Sequence, residues 1–272
     1  MSENVVENRY LRIILGLDVS TACIGVSIVA DRGEGKPEIL KLTHVSPKID
    51  KKVKGIESLF LRKNIFEEEF VPILKEYPIT DVIIEEPLLS SNNVNTVATL
   101  LRYNGMISES IYRHLQIVPK FISSYDARLY SYPDLASIRK YNRKGDEYSL
   151  KHILSAINDD SLVLFGSYPY DVDKKTIMMD KVNDDYPEIE WILNKKGEIA
   201  KENYDACDSL ICALAYINVN RYGLSEPTIV NHSVSQTDDG KTVISYIAKI
   251  WDREMPKTLT LGKQLLNIDK KK

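Results

Sequence analysis

Sulfur and imidazole are scarce in this chain. Only three of its 272 residues are cysteines, Cys23, Cys207 and Cys212, and they form no C-x-x-C pair. The four histidines, His44, His114, His152 and His232, are scattered, and none pairs with a cysteine at ligand spacing. That distribution argues against a zinc site and for buried thiols. Long apolar runs are also missing: none approaches the roughly 18 to 20 residues that a bilayer span requires. The opening MSENVVENRY lacks the basic-then-apolar layout of a secretory signal, so the chain reads as soluble and cytoplasmic. Glycine is sparse, at 12 residues, and no glycine-rich phosphate loop appears. No basic surplus exists either, since 36 Lys and Arg face 39 Asp and Glu for a net charge of -3. A dedicated nucleic-acid binder often shows such a surplus, so any role of that kind must rest on local charge.

What is present suffices for a sizeable core, with 43% hydrophobic residues. Charge is unevenly spread: Lys36 to Lys63 holds eight basic and three acidic residues, and Tyr112 to His152 holds eight and four. The stretch MDKVNDDYPEIE at 179–190 offsets them. Charge runs of this length are most often solvated faces.

Three β-rich segments open the chain, RIILGLDVS at 12–20, IGVSIVA at 24–30 and EILKLTHVS at 38–46. With DRGEGKP as a turn before the third, they predict an antiparallel meander. Residues 56–77 carry apolar positions at helical spacing, and TDVIIEE at 80–86 returns as a buried strand. A second helix is expected at 93–115, capped by Asn93 or Asn95, then a fifth strand at 116–123. The order is βββαβαβ. Further on, a helix is expected near 147–158, a mixed, turn-rich region over 160–200, and a clear helix at 203–223 that stops at Gly223. TIVNHSVSQT and KTVISYIAKI around a D-D-G turn predict a C-terminal β-hairpin.

Acids punctuate these elements. Asp18 ends the first strand, Glu85 and Glu86 end the fourth, and Asp205 and Asp208 lie one turn apart on the late helix, where residues three apart share a face. If strands one and four are neighbours and that helix crosses their ends, acids from three distant segments converge. Carboxylates within about 5 Å would repel by roughly 3 kcal/mol per pair at an effective dielectric near 20. A divalent cation is the ordinary remedy, and oxygen-only donors favour Mg²⁺ or Mn²⁺. Taken singly, Asp18 could be a turn residue and Asp205 a helix-dipole acid. Together, in the order Asp, Glu, Asp-x-x-Asp, they point to a metal site.

The pieces ILGLDVSTACIGVSIV, VIIEEP, TLLRYNGMISESIY with Gly105, ISSYDARLYSYP and YDACDSLICALAY, within residues 14–132 and 204–216, resemble the RuvC group of RNase H-like nucleases. The resemblance implies an α/β fold with a mixed five-stranded sheet, three antiparallel strands and then parallel ones, flanked by helices. It also implies a homodimer, two Mg²⁺ ions and paired nicks in a four-way DNA junction. By position, Asp18, Glu85, Asp205 and Asp208 match the catalytic metal ligands. Glu86 becomes a spare, because alternation along a strand points it away from Glu85. Arg128 matches a basic residue near DNA, with Lys144 and Lys151 as looser matches. The Tyr-rich basic stretch 125–144 adds Arg139, Lys140 and Arg143 as DNA-contact candidates, its tyrosines serving to stack on splayed bases. Val19-Ser20 departs from the family's usual pair after the first aspartate. The nuclease domain is expected over 10–223 with an insertion at about 159–202, followed by an extension at 224–272; this added length resembles viral, especially phage, forms.

Two rival readings share the residues. ATP-binding sugar kinases and actin relatives also begin with a strand, an acid and Ser/Thr, here Ser20-Thr21, but they require a Gly-rich loop that is absent. Other RNase H-like nucleases, including those cutting RNA:DNA hybrids, share the acids. A silent DNA-binding module would have no need to keep a repulsive cluster.

Overall fold

The computed structural model describes residues 10–87, 93–142, 144–158, 165–166 and 173–262. Its first sheet is built from β1 (Arg12–Val19), β2 (Ile24–Asp31), β3 (Glu38–Val45), β4 (Asp81–Glu85) and β5 (Lys120–Ile122) in the order β3-β2-β1-β4-β5. β1, β2 and β3 pair antiparallel, whereas β4 lies parallel to β1, and β5 parallel to β4. The fold is RNase H-like. Strands covered on both faces need apolar residues on both, and all eight residues of β2 are buried.

Alternation along β1 divides its side chains between two helical layers. Leu15 and Leu17, with Val82 and Ile84 of β4, join a core with Phe66 and Phe70 of α1 (Gly55–Leu74) and Tyr103, Ile107 and Ile111 of α2 (Val94–Leu115). Asn93 caps α2, its side chain accepting from the backbone N–H groups of Asn95 and Thr96. The opposite face carries Gly16, Asp18, Gly25 and Ser27, and against it lies a late helix, α6 (Glu202–Tyr222).

Between β5 and α6 stand α3 (Ser124–Ser131), β6 (Ser137–Ile138), α4 (Leu150–Asn158), β7 (Phe165–Gly166) and α5 (Lys174–Asp185). β6 and β7 form a small antiparallel pair. After α6 come β8 (Thr228–Gln236), β9 (Thr242–Ile250) and β10 (Arg253–Leu261), a three-stranded antiparallel sheet in which β9 is central. The expected hairpin is therefore two strands of three. Pro256 and the charges of REMPKTLTL hide β10 in the sequence, yet an edge strand accommodates both. β5 is shorter than expected, because 116–119 runs outside the ladder.

Two compact units result. One comprises Met1–Ser131 with Lys175–Arg221 and holds the five-stranded sheet; the other comprises Tyr132–Lys174 with Tyr222–Lys272. In the second unit, the Ile138 N–H donates to the Tyr246 hydroxyl at 2.9 Å, tying β6 to β9. Among the described residues, no helix is long and apolar enough to cross a membrane.

Candidate active site

Small residues on β1 and β2 set the height of α6 above the sheet. A Cβ at Gly25 would stand 1.8 Å from the Asp205 carbonyl oxygen, and one at Gly16 would stand 2.3 Å from that of Ser209. Only glycine permits this approach. Ser27, opposite Gly16, donates its hydroxyl to the same Ser209 carbonyl at 2.9 Å. Further along α6, the Tyr216 hydroxyl donates to Asp81 at 2.6 Å, and Arg221 pairs with buried Asp31 at 2.5 Å. These contacts fix both the height and the rotation of the helix, so Asp208 is delivered over the ends of β1 and β4.

Asp18 and Glu85 meet it there. Leu17 lies in register with Ile84 across the parallel pair, which makes Asp18 and Glu85 neighbours on the α6 face. One carboxylate oxygen from each of Asp18, Glu85 and Asp208 falls within 4.8 Å of the others. Glu86 points elsewhere, exposed, while its N–H donates to the Ile122 carbonyl at 2.8 Å. Asp205 is outside this trio. Its side chain lies beside the Cys23 thiol, which burial first and Asp205 further push up to about 12.

Charge crowding shows in the protonation of the trio. Burial, then the neighbouring Glu85, Asp208 and Asp205, raises Asp18 well above the ordinary carboxylate range. Glu85 is raised to about 7, again by burial first and then by Asp208, while Arg128 and Lys175 pull it back. Asp208 is raised by burial, with the same two cations opposing. Arg128 of α3 and Lys175 of α5 thus stand near the cluster and pull its carboxylates down against the larger effect of burial. The arrangement fits a hard divalent cation: three half-buried oxygen donors converge, and added positive charge would relieve them. Cys207 and Cys212 are buried, and that burial raises their thiols well above the ordinary value.

Among the expected DNA contacts, Arg128 lies near the acids. Arg139, Lys144 and Lys151 are exposed on the second unit, and Lys140 pairs with Glu147 at 3.4 Å. Arg143 lies outside the described residues. Tyr130 and Tyr132 are each 6% exposed, which withdraws them from base stacking. Lys175 is a residue that sequence reasoning missed; it lies in the first turn of α5 inside the turn-rich stretch, and in VDKKT nothing distinguishes its charge from that of its neighbours. Ser20, the residue a phosphate-binding reading would use, is occupied locally: its hydroxyl donates to the Cys23 carbonyl at 2.8 Å and accepts from the Cys23 N–H at 3.1 Å.

No protein-family model matches the chain, and no curated protein matches its sequence. Among solved structures it is similar to RuvC of Thermus thermophilus, with 13% identity, 78% of this chain and 96% of that one covered, and a TM-score of 0.46. The same enzyme in complex with a Holliday junction substrate gives the same identity and coverage with a TM-score of 0.48. The yeast mitochondrial Holliday junction resolvase Ydc2 gives 10% identity, 77% and 81% coverage and a TM-score of 0.40. At these values the strand order, and not the likeness, carries the fold.

Proposed function

We propose that this chain is a Mg²⁺-dependent, structure-selective DNA endonuclease that resolves Holliday junctions as a homodimer. The observation that carries the reading is the convergence of Asp18, Glu85 and Asp208 from two strands and a helix, with burial and neighbouring carboxylates raising all three above the ordinary carboxylate range. The sequence resemblance to RuvC-type nucleases supports the same class.

In this proposal Asp18, Glu85 and Asp208 hold the metal, and Asp205, one turn away on the same helix, adds a fourth negative charge that bears on all three. Bound Mg²⁺ or Mn²⁺ supplies a Lewis acid for the phosphoryl oxygens and lowers the pKa of a water. Arg128 and Lys175 bring positive charge to the cluster, where a phosphodiester would otherwise meet only carboxylates. The close seat of α6 on Gly16 and Gly25 holds Asp208 rigidly, so the donor set is organised before substrate arrives.

The deciding experiment incubates the protein with Mg²⁺ and labelled four-way, three-way, flap, duplex and RNA:DNA hybrid substrates, with ATP turnover followed in parallel. Four-way junctions should be cut in preference, and Asp18→Asn should lower cleavage by about a hundredfold or more while junction binding persists. Substantial cleavage by Asp18→Asn would sink the mechanism. Preference for the hybrid would move the substrate to RNA:DNA, and ATP hydrolysis without DNA cleavage would favour the kinase-like reading.

A further inference from the structure

The basic stretch from Lys36 to Lys63 lies outside the acidic site, and the fold sorts its eight cations. Lys36 stands 3.9 Å from Glu188 and Lys63 2.6 Å from Glu67, each in an ion pair. Lys41 is half-buried on β3. Arg62 is used within the fold, its guanidinium donating to the carbonyls of Thr21 at 2.9 Å and Pro47 at 2.6 Å. The other four, Lys48, Lys51, Lys52 and Lys54, are exposed in the loop that joins β3 to α1, and among the described residues none of them forms an ion pair. Asp50, the one acid of that loop, is committed to its turn: its side chain accepts from the Lys52 N–H at 2.9 Å, and its carbonyl accepts from the Val53 N–H at 3.1 Å. A solvated face usually mixes charges of both signs, and this loop does not.

Strand direction decides where the loop stands. β1 and β3 both run antiparallel to β2, so they end at the same edge of the sheet. Asp18 is in register with Gly25, and Gly25 with His44, which sets the end of β3 about 10 Å from Asp18 at about 4.8 Å per strand. The loop departs just beyond, at Ser46. It is anchored along its length: Pro47 is buried, Ile49 and Val53 are half-buried, and Arg62 ties Pro47 to Thr21 in the turn that follows Asp18. Cations carried on a fixed backbone lose less freedom when they meet a ligand. Arg128 belongs to α3, which follows β5 at the opposite side of the strand order β3-β2-β1-β4-β5. The acids therefore lie between two sources of positive charge. One strand of a DNA duplex presents a phosphate about every 3.4 Å along its axis, so about three base steps cover the distance from the acids to the end of β3.

We propose that Lys48, Lys51, Lys52 and Lys54 form a phosphate-binding lip that holds the backbone of a DNA arm on the β3 side of the cut, opposite Arg128. The contact is electrostatic and independent of base sequence, and it fixes where the arm lies relative to the acids. It rests on the nuclease reading for its substrate and deepens that reading by naming a surface that grips the arm.

The test uses the full chain carrying Asp18→Asn, so that binding is read without cleavage. Affinity for a labelled four-way junction and for a linear duplex is followed by fluorescence anisotropy between about 50 and 200 mM salt. Adding Lys48→Gln, Lys51→Gln, Lys52→Gln and Lys54→Gln together should reduce the log–log salt slope by about 3 to 4, at about 0.9 per phosphate contact, and weaken binding at 100 mM salt by about tenfold or more. Lys51→Gln/Lys52→Gln alone should reduce the slope by about 2, which decides the matter if the fourfold variant misfolds. Lys75→Glu, at the far end of α1 and about 30 Å away, should leave the slope unchanged. No DNA binding, a slope indifferent to the loop lysines, or an equal loss from Lys75→Glu overturns the proposal. Cleavage by the wild type is recorded separately: a protein whose DNA binding depends on the lip but which cuts no substrate upholds the lip and counts against the nuclease reading.

Discussion

Glu85 and Glu86 are chemically identical neighbours that a pleated strand sends to opposite sides. Glu85 shares its side with Asp18 and Asp208, while Glu86 is exposed. Glu85→Gln should therefore reduce junction cleavage by about a hundredfold or more, and Glu86→Gln by no more than a few-fold, in single-turnover assays. The reverse pattern would overturn the assignment. The raised carboxylates also carry a pH signature in metal-free protein. Glu85 titrates near 7 in the fold against 4.5 unperturbed. Below 4.5 both folded and unfolded chains keep the proton and the cost is absent. Between the two values the unfolded chain releases it more readily, so stability falls as pH rises, and above about 7 the full cost stands. In EDTA the melting temperature should drop by a few degrees from about pH 5 to pH 8, and Mg²⁺ should restore it far more at pH 8. A flat profile with no Mg²⁺ response would remove the metal site.

At the scale of elements, α6 decides the site, and its height over the sheet is the sensitive coordinate. Gly25→Ala places a methyl where the Asp205 carbonyl stands, so the helix must lift. The variant should lose about 1–3 kcal/mol in denaturant unfolding, and cleavage should fall with it as Asp208 leaves its partners. An unchanged unfolding curve would show that the helix is less tightly seated than its contacts imply. The same scale explains what sequence patterns could and could not show. β1, β2 and α6 are legible because burial on several sides forces long apolar runs. α5 was hidden, since KKTIMMDKVNDD buries only Met178, Met179 and Val182 and is otherwise charged. That helix carries Lys175, so the missed element and the missed residue are one omission. α3 was equally faint, an eight-residue helix whose start is marked by the Ser123 hydroxyl accepting from the Asp126 N–H at 3.1 Å.

For the whole molecule, a net charge of -3 means that the proposed DNA binding must depend on where cations lie rather than on how many there are. Arg128 and Lys175 are near the acids, while Arg139, Lys144 and Lys151 are exposed on the second unit. Junction affinity of an Asp18→Asn protein should fall steeply between about 50 and 200 mM salt, with a log–log slope set by the phosphates contacted. A slope near zero in a fluorescence titration would remove the electrostatic contribution. The sequence by itself determined the order of the main elements, the acidic strand ends and the i, i+3 pair on α6, because periodicity and adjacency are local properties of a chain. Only the tertiary structure decided that Asp208 rather than Asp205 joins Asp18 and Glu85, that Tyr130 and Tyr132 are interior, and that Lys175 stands near the cluster. Those outcomes depend on strand register, on the rotation of α6 and on the room that Gly16 and Gly25 leave beneath it, and these are fixed by contacts between segments up to about two hundred residues apart.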